Sequence, residues 1–224
     1  DGSACLLGSM NIASYVYNKE FDWHEFSNDV KTATIALNEA LVEGTPLHPL
    51  QIQRESAAKW RAVGLGIFDL AGALVKLGIT YGSYDAIEFA KKITGVMLVY
   101  SYLQSCDLNK DNLPLDNLFE SEFYKKRILP YLPEEYTGKY PLNSQLLTIA
   151  PTGTLSTMLN ALSGGGEPAF ALSYTRTTKS LHGKDVTYEV HPKLVTDYMS
   201  QHNCTFDQLP PEFISSDKLN WKQR

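Results

Sequence analysis

Apolar residues recur at helical spacing in several long stretches of the chain. The first such stretch covers residues 23–42, with Asp22 as a candidate N-cap before it and Gly44 and Pro46 as stop signals after it. Its apolar positions fall on one face: Phe26, Val30, Ala33, Leu37 and Ala40. Further helices are predicted from five other segments: from Gln51 onward, over 68–77 up to Gly78, from Ser83 or Asp85 to Gln104, over 121–129, and from Pro192 to Gln201. In the helix that ends near Gln104, the predicted inner face is Ile87, Ala90, Ile93, Met97 and Tyr100.

Shorter apolar segments separate these helices. Residues 4–17 predict a strand or buried turn, and residues 61–66 carry two glycines that favour a strand with close backbone approach. Residues 146–149 predict a buried strand, and residues 187–190 an extended segment. Long helices alternating with short apolar strands indicate an α/β fold in which helices lie outside a largely buried sheet. Since nothing marks a domain boundary, we expect residues 1–224 to form one partial domain, truncated at both ends.

Composition narrows the class of protein. An apolar fraction of 43% allows a sizeable core, and a net charge of -5 favours neither nucleic acid nor an anionic membrane as partner. No run approaches the roughly 18 apolar residues of a membrane helix, and the first residues lack the features of a secretory signal. Three scattered cysteines indicate a reducing compartment, hence the cytoplasm, and the five histidines show no spacing typical of a metal site. We therefore expect no metal bound by this chain.

The segment NSQLLTIAPTGTLSTMLN, residues 143–160, breaks a predicted strand at Pro151 and restarts as a helix. A helix start leaves backbone N–H groups unpaired and partly positive, which suits a phosphate. Gly153 permits close approach, and Thr152, Thr154 and Ser156 offer hydroxyl donors. An ordinary strand-to-helix turn with a threonine cap explains the same pattern, and the residues alone do not decide between the two. The absence of lysine excludes the phosphate loop of nucleotide triphosphatases.

Three motifs together resemble the large, catalytic subunit of ribonucleotide reductases. The first is ACLLGSMNI at residues 4–12, and the second is RAVGLGIFDLA at residues 61–71. The third begins with NSQ at residue 143, continues through APTGTLS at 150–156 and SGGGEP at 163–168, and ends with YTR at 174–176. The first and third are specific, whereas the second alone is weak.

The resemblance implies a fold and two groups of site residues. The fold is a ten-stranded α/β barrel of two parallel halves, of which this chain would be the C-terminal half. Residues 151–156 would grip the substrate phosphates, with Leu155 acting through its backbone only: Pro151, Thr152, Gly153, Thr154, Leu155 and Ser156. Glu167 and Pro168 would shape the barrel wall nearby, and Gly166 stands where the family usually has isoleucine. Without the resemblance, Cys5 is best interpreted as an inert core residue. With it, Cys5 becomes one of two thiols that supply electrons and form a disulfide during turnover.

The resemblance also implies an activity with several partners. The parent enzyme would convert ribonucleotides to deoxyribonucleotides by radical chemistry, as a homodimer served by a thioredoxin- or glutaredoxin-type reductant. It would need a radical source, either a small-subunit metal cofactor or adenosylcobalamin, while no cofactor is expected on this chain. The radical-bearing Asn-x-Cys-x-Glu segment is expected before Asp1 and the radical-relay tyrosines after Arg224, so this chain would depend on the remainder of the large subunit and be inactive alone. Two other functions stay open: a non-catalytic phosphate-binding piece of a split protein, and a helical interaction module.

Overall fold

The computed structural model describes residues 4–115, 122, 124–178 and 183–223. Within these ranges the strands are β1 (Leu6–Asn11), β2 (Val16–Tyr17), β3 (Glu20–Phe21), β4 (Val63–Phe68), β5 (Tyr174–Thr178) and β6 (Val186–Val190). The α-helices are α1 (Trp23–Gly44), α2 (Gln51–Trp60), α3 (Leu70–Leu77), α4 (Tyr84–Leu108), α5 (Gly153–Met158) and α6 (Lys193–His202). This mixture of helices and short strands confirms the α/β class, whereas the half barrel stays a prediction. None of the described helices is both long and apolar enough to cross a membrane.

The chain divides into two compact units. The first unit comprises Asp1–Met10, Asp22–Gly66 and Lys91–Ala150, and the second comprises Asn11–Phe21, Ile67–Ala90 and Pro151–Arg224. Each is described by itself below, and one partial domain over residues 1–224 stays a prediction.

The centre of the first unit is the buried strand β4. It pairs with β1 on one side, and Leu65 forms a parallel bridge with Leu147 on the other. The predicted close approach is real: a Cβ on Gly66 would lie 2.8 Å from the carbonyl oxygen of Thr148. The predicted strand at 146–149 is shorter than expected, because only Leu147 is bridged and Ile149 is 90% exposed. The chain turns outward there, ahead of a proline that cannot donate to a ladder.

Helices cover this small sheet. The prediction for α1 is confirmed, with the Glu25 N–H donating to Asp22 Oδ1 at 2.8 Å. The core of the first unit consists of Leu41, Ala57, Val63, Tyr102, Cys106, Tyr124, Ile128 and Leu146. Part of the helix predicted over 121–129 lies outside the described residues. Its described part is a π-helical turn, Tyr124–Ile128, followed by a 3₁₀ turn, Leu129–Tyr131.

The buried stripe of α4 confirms the prediction at Ile93 and Met97 but differs from it in the first turns of the helix. Ile87 is 49% exposed, while the buried side chains of this segment are Ala86, Phe89, Ile93 and Met97. Residues 86–90 carry apolar groups on more than one face. The sequence pattern therefore allowed two registers, and packing selected the one that begins at Ala86.

Among the residues that the structure describes, the second unit contains two antiparallel strand pairs and three α-helices that lie wholly within it. Strands β2 and β3 are joined by Asn18 and Lys19, both left-handed, as a tight two-residue hairpin requires. Strands β5 and β6 pair from Tyr174 opposite Val190 to Thr178 opposite Val186. The core of this unit consists of Ala71, Val75, Leu162, Ala169, Leu172, Val195 and Phe213.

Two helices of the second unit are shorter than predicted. Helix α3 begins at Leu70, since Phe68 belongs to β4 and Asp69 is left-handed with φ of 62°. It ends at left-handed Gly78, as predicted. The glycines at 164–166 predict the end of the helix that follows Pro151, but α5 spans only six residues and stops before a left-handed Asn160.

Candidate functional site

The second unit brings the start of α3 against the segment that follows α5. Asp69 N–H donates to the Ser163 carbonyl at 3.1 Å, and Leu70 N–H donates to the Gly165 carbonyl at 3.2 Å. Ala71 N–H donates to Ser163 Oγ at 3.2 Å. Gly72 N–H donates to Asp69 Oδ1 at 3.2 Å. The N–H groups of Leu70, Ala71 and Gly72, the first three residues of α3, therefore all have acceptors inside the protein. The start of α3 is therefore closed to an outside anion.

The start of α5 is different. Ser156 N–H closes the first helical bond on the Thr152 carbonyl at 2.9 Å. Among the residues that the structure describes, none accepts a hydrogen bond from the N–H groups of Gly153, Thr154 or Leu155. Gly153 and Thr154 are exposed, and a Cβ added to Gly153 would meet open space. Three adjacent amide donors thus face outward at the partly positive end of a helix.

The hydroxyl groups of this loop are used differently from the expectation. Thr152 is buried and occupies the N-cap position, but its hydroxyl donates to the Gly164 carbonyl instead of capping α5. Ser156 is also buried, and its hydroxyl donates to the Gly153 carbonyl at 2.9 Å. In this structure both hydroxyls therefore donate within the unit, and only the exposed Thr154 hydroxyl adds to the outward donors.

The glycine run at 164–166 is held through its carbonyls. Gly164 accepts from both the backbone and the side chain of Thr152, and Gly166 accepts from the Tyr81 hydroxyl at 2.7 Å. Burial and the nearby negative charge of Glu167 raise the pKa of Tyr81, so this hydroxyl keeps its proton for the bond. A Cβ on Gly165 would lie 2.6 Å from Glu167 Oε2. The Glu167 carboxylate thus lies against Gly164 and Gly165, and this negative group makes the run itself a poor anion site.

Cys5 belongs to the first unit and lies just before β1. Its thiol is exposed, with Gln145 Nε2 at 3.8 Å from Sγ. Partial burial raises the pKa of this thiol, which keeps it protonated near neutral pH. A Cβ on Gly64 would approach Cys5 Sγ to 3.1 Å, so the glycine of β4 leaves room for the sulfur. The exposure argues against the interpretation of Cys5 as a buried, inert residue.

The other two cysteines are placed differently. Cys106 is buried in the first unit, and burial raises its pKa to about 12. Cys204 is half-buried in the second unit. Within the described residues, no group of three His, Cys, Asp or Glu side chains gathers closely enough to hold a metal ion.

The comparison with protein families gives a match over residues 1–212 to the family described as ribonucleotide reductase, barrel domain. The chain belongs to this family. The match includes all three motifs of the sequence analysis, and it places both Cys5 and the start of α5 inside the ribonucleotide reductase barrel domain.

Relatives agree with the ribonucleotide reductase assignment. A vitamin B12-dependent ribonucleoside-diphosphate reductase of Thermoplasma acidophilum is 30% identical over 84% of this chain and 22% of its own length. An enzyme of the same name from Mycobacterium tuberculosis is 27% identical over 80% of the chain and 24% of its own length. The ribonucleoside-diphosphate reductase subunit alpha of Chlamydia muridarum is 26% identical over 70% of the chain and 17% of its own length. The chain therefore spans about a fifth of the length of these ribonucleotide reductases.

Sequence reasoning missed Asp69 as a residue of this site. Its side chain is buried and accepts amide hydrogen bonds from Leu162 and Ser163. A signal was present, because an aspartate between a strand and an apolar helical run is a typical N-cap. The ribonucleotide reductase motif at residues 61–71 contains Asp69. Because the sequence pattern predicts the helix to begin at Phe68, Asp69 falls inside the predicted helix and not at its N-cap.

Proposed function

We propose that this chain is part of the catalytic subunit of a ribonucleotide reductase, in which it supplies a substrate-phosphate site and one of two reducing thiols. The match to the barrel-domain family over residues 1–212 carries the proposal. The parent protein would replace the 2′-hydroxyl of a ribonucleotide by hydrogen. The rest of the large subunit would be required, and the 224-residue chain alone would not turn over substrate.

The proposed phosphate site is the start of α5, residues 151–156. The outward N–H groups of Gly153, Thr154 and Leu155 and the exposed Thr154 hydroxyl support it, because they offer several donors to one anion. Thr152 and Ser156 act in this proposal as internal braces through their bonds to the Gly164 and Gly153 carbonyls. Pro151 contributes by ending the preceding extended segment without an N–H of its own.

The proposed role of Cys5 is to deliver reducing equivalents. Two thiols give two hydrogens and form one disulfide, while the substrate loses its hydroxyl as water and gains a C–H bond. The protonated, exposed thiol of Cys5 supports this role, since hydrogen as well as electrons must leave the sulfur. The second thiol would come from another part of the parent protein, and a thioredoxin- or glutaredoxin-type dithiol would reduce the disulfide.

The parent would also need a radical source. Two of the three relatives described above are named as vitamin B12-dependent, and the third is a subunit alpha. An adenosylcobalamin or a metal-bearing small subunit would fill this need. No residue of the described chain is assigned to hold either one.

Cys5→Ser in the full-length protein tests the redox role. We expect turnover with a dithiol reductant to be lost while the dissociation constant of the substrate stays unchanged, because serine keeps the shape of the side chain but cannot form a disulfide. Cys204→Ser serves as the matched control. Turnover that survives Cys5→Ser would refute the redox role and favour a non-catalytic phosphate-binding piece.

Gly153→Ala tests the phosphate site. The added methyl group meets open space in the protein, so the fold should tolerate it, but it would stand where a phosphate approaches the amides. We expect the substrate dissociation constant to rise about tenfold, equivalent to about 1.4 kcal/mol. Gly44→Ala is the control. Gly44 belongs to the first unit, and a Cβ added to it also meets open space. Unchanged affinity in Gly153→Ala would reject the site.

A further inference from the structure

Asp69 is a buried carboxylate to which the proposed function assigns no role. Only 6% of its surface is exposed, and its backbone is left-handed with φ of 62°. Its Oδ1 atom accepts three amide hydrogen bonds, from Leu162 at 2.7 Å and from Ser163 and Gly72 at 3.2 Å each. A left-handed aspartate with three amide donors on one oxygen is tightly constrained, which indicates that its position matters to the fold around it.

The carboxylate joins two segments that are distant in sequence. Gly72 lies in the first turn of α3, whereas Leu162 and Ser163 follow α5. The connection runs both ways, because the Asp69 N–H donates back to the Ser163 carbonyl at 3.1 Å. The segment after α5 is therefore fixed to the start of α3 by the side chain and the backbone of one residue.

This fixed segment in turn holds the start of α5. Gly164 follows Ser163 directly, and its carbonyl accepts from the backbone N–H of Thr152 at 3.3 Å and from the Thr152 hydroxyl. The Ala161 N–H donates to the Ser156 carbonyl at 2.9 Å, so the segment also grips the middle of α5. The direction of the outward N–H groups depends on Thr152, which immediately precedes them.

We propose that Asp69 is a positioning residue for the anion site: by holding the amides of Leu162 and Ser163, it fixes Gly164 and Thr152 and thereby aims the N–H groups at the start of α5. This inference rests on the proposed function of that loop. Asp69 itself does not touch the phosphate. It acts through two hydrogen-bonded steps, from its carboxylate to Ser163 and from Gly164 to Thr152.

Gly72 offers an independent way to disturb the same contact. A Cβ at this position would lie 2.4 Å from Asp69 Oδ1 and 2.7 Å from Oδ2. The carboxylate would have to swing away, although the aspartate would still be present. Alanine is otherwise favourable in a helix, so Gly72→Ala should displace the acceptor without weakening α3 through its helix propensity.

The experiment compares three variants in the full-length protein. Asp69→Gly removes the acceptor but keeps a residue that adopts positive φ freely. Asp69→Asn keeps an acceptor oxygen and also tolerates the left-handed region. Gly72→Ala displaces the carboxylate, and Gly95→Ala in α4 is its control, because that Cβ meets open space in a helix interior.

Two quantities are measured: the dissociation constant of the ribonucleotide substrate, and amide hydrogen exchange in the peptide that covers residues 160–165. Asp69→Gly and Gly72→Ala should weaken binding about tenfold and speed exchange at Leu162 and Ser163, since buried amides lose their acceptor. Asp69→Asn should stay within about threefold of the parent, because its amide oxygen restores the bonds. Gly95→Ala should change neither quantity.

Several outcomes overturn the inference. Unchanged affinity in Gly72→Ala does so even if Asp69→Gly fails to fold, and so does faster exchange without weaker binding. An asparagine variant as weak as the glycine variant would also count against it, since the acceptor geometry would then not be what matters. Gly153→Ala separates the two proposals. If it weakens binding while Asp69→Gly and Gly72→Ala do not, only the role of Asp69 fails, and if it has no effect, the phosphate site itself fails.

Discussion

Replacing Asn143 by alanine should destabilise the first unit more than any surface substitution. Asn143 is 2% exposed, and its side-chain Nδ2 donates to the Arg61 carbonyl at 2.8 Å and to Asn38 Oδ1 at 3.4 Å. Its Oδ1 accepts from the Ser105 hydroxyl at 2.8 Å, and that hydroxyl accepts in return from the Asn143 N–H at 3.0 Å. The side chain of Asn143 thus joins three helices to the segment that pairs with β4. Its partners are Asn38 in α1, Arg61 directly after α2, and Ser105 in α4.

The magnitude follows from the groups that would lose a partner. Alanine would leave the Arg61 carbonyl, the Asn38 amide and the Ser105 hydroxyl each short of one hydrogen bond, and Asn38 and Ser105 are at most 3% exposed. Each buried polar group left unsatisfied costs about 1–3 kcal/mol, and the 3.4 Å contact is the weakest of the three. We therefore expect the free energy of unfolding to fall by about 3 kcal/mol.

The assay is denaturant unfolding of the chain, with Asn28→Ala as the control. Asn28 lies on the exposed face of α1, and its substitution should stay within about 0.5 kcal/mol. Ser105→Ala should cost less than Asn143→Ala, and the double variant should cost less than the sum of the two, because they share one hydrogen-bond network. A loss below about 1 kcal/mol for Asn143→Ala, or strict additivity with Ser105→Ala, would refute the network as the source of stability.

Three further predictions concern packing, pH and reactivity. Gly66→Ala should lower the free energy of unfolding by about 2 kcal/mol or more, because its Cβ would lie 2.8 Å from the carbonyl oxygen of Thr148, a backbone atom that cannot swing away. If denaturant unfolding gives this variant the same free energy of unfolding as the wild type, the prediction is wrong. Burial raises the pKa of Asp69, against the opposing amide bonds, so the folded chain holds this proton to higher pH than the unfolded chain. The unfolding free energy of the wild type minus that of Asp69→Asn should therefore fall as pH rises from the ordinary aspartate value through the raised pKa, and a rise over that window would show the sign to be wrong. Iodoacetamide should modify exposed Cys5 in the native chain and buried Cys106 only after unfolding, because burial also raises the Cys106 pKa to about 12; peptide mass spectrometry checks this, and equal native rates would contradict it.

Local signals explain why several elements were predictable. Asp22 followed by a one-sided apolar pattern is sufficient for α1, since both the cap and the periodicity act within a few residues. The end of α3 at Gly78 follows in the same way from a left-handed glycine. The two glycines of β4 likewise predicted a close backbone approach, and Gly66 makes this contact with Thr148.

Other features depended on groups that are distant in sequence. The exposure of Ile87 was decided by which of two possible helix faces found a partner. The short reach of the strand around Leu147 was decided by its single bridge to Leu65. The antiparallel hairpin of β5 and β6 was not predicted as a pair, because pairing depends on the partner strand as much as on the strand itself.

The sequence by itself determined the family, the α/β class, and the loop at residues 151–156 on which the phosphate proposal rests, since motifs and periodicity are properties of the chain alone. Tertiary structure decided which donors remain available at that site. The hydroxyls of Thr152 and Ser156 donate within the unit, whereas the amides of Gly153, Thr154 and Leu155 face outward. The Asp69 carboxylate accepts a hydrogen bond from the segment that follows α5. The physical reason is that a hydrogen bond is satisfied by whichever acceptor folding brings near, and for Asp69 and Leu162 that acceptor and donor come from segments far apart in the chain.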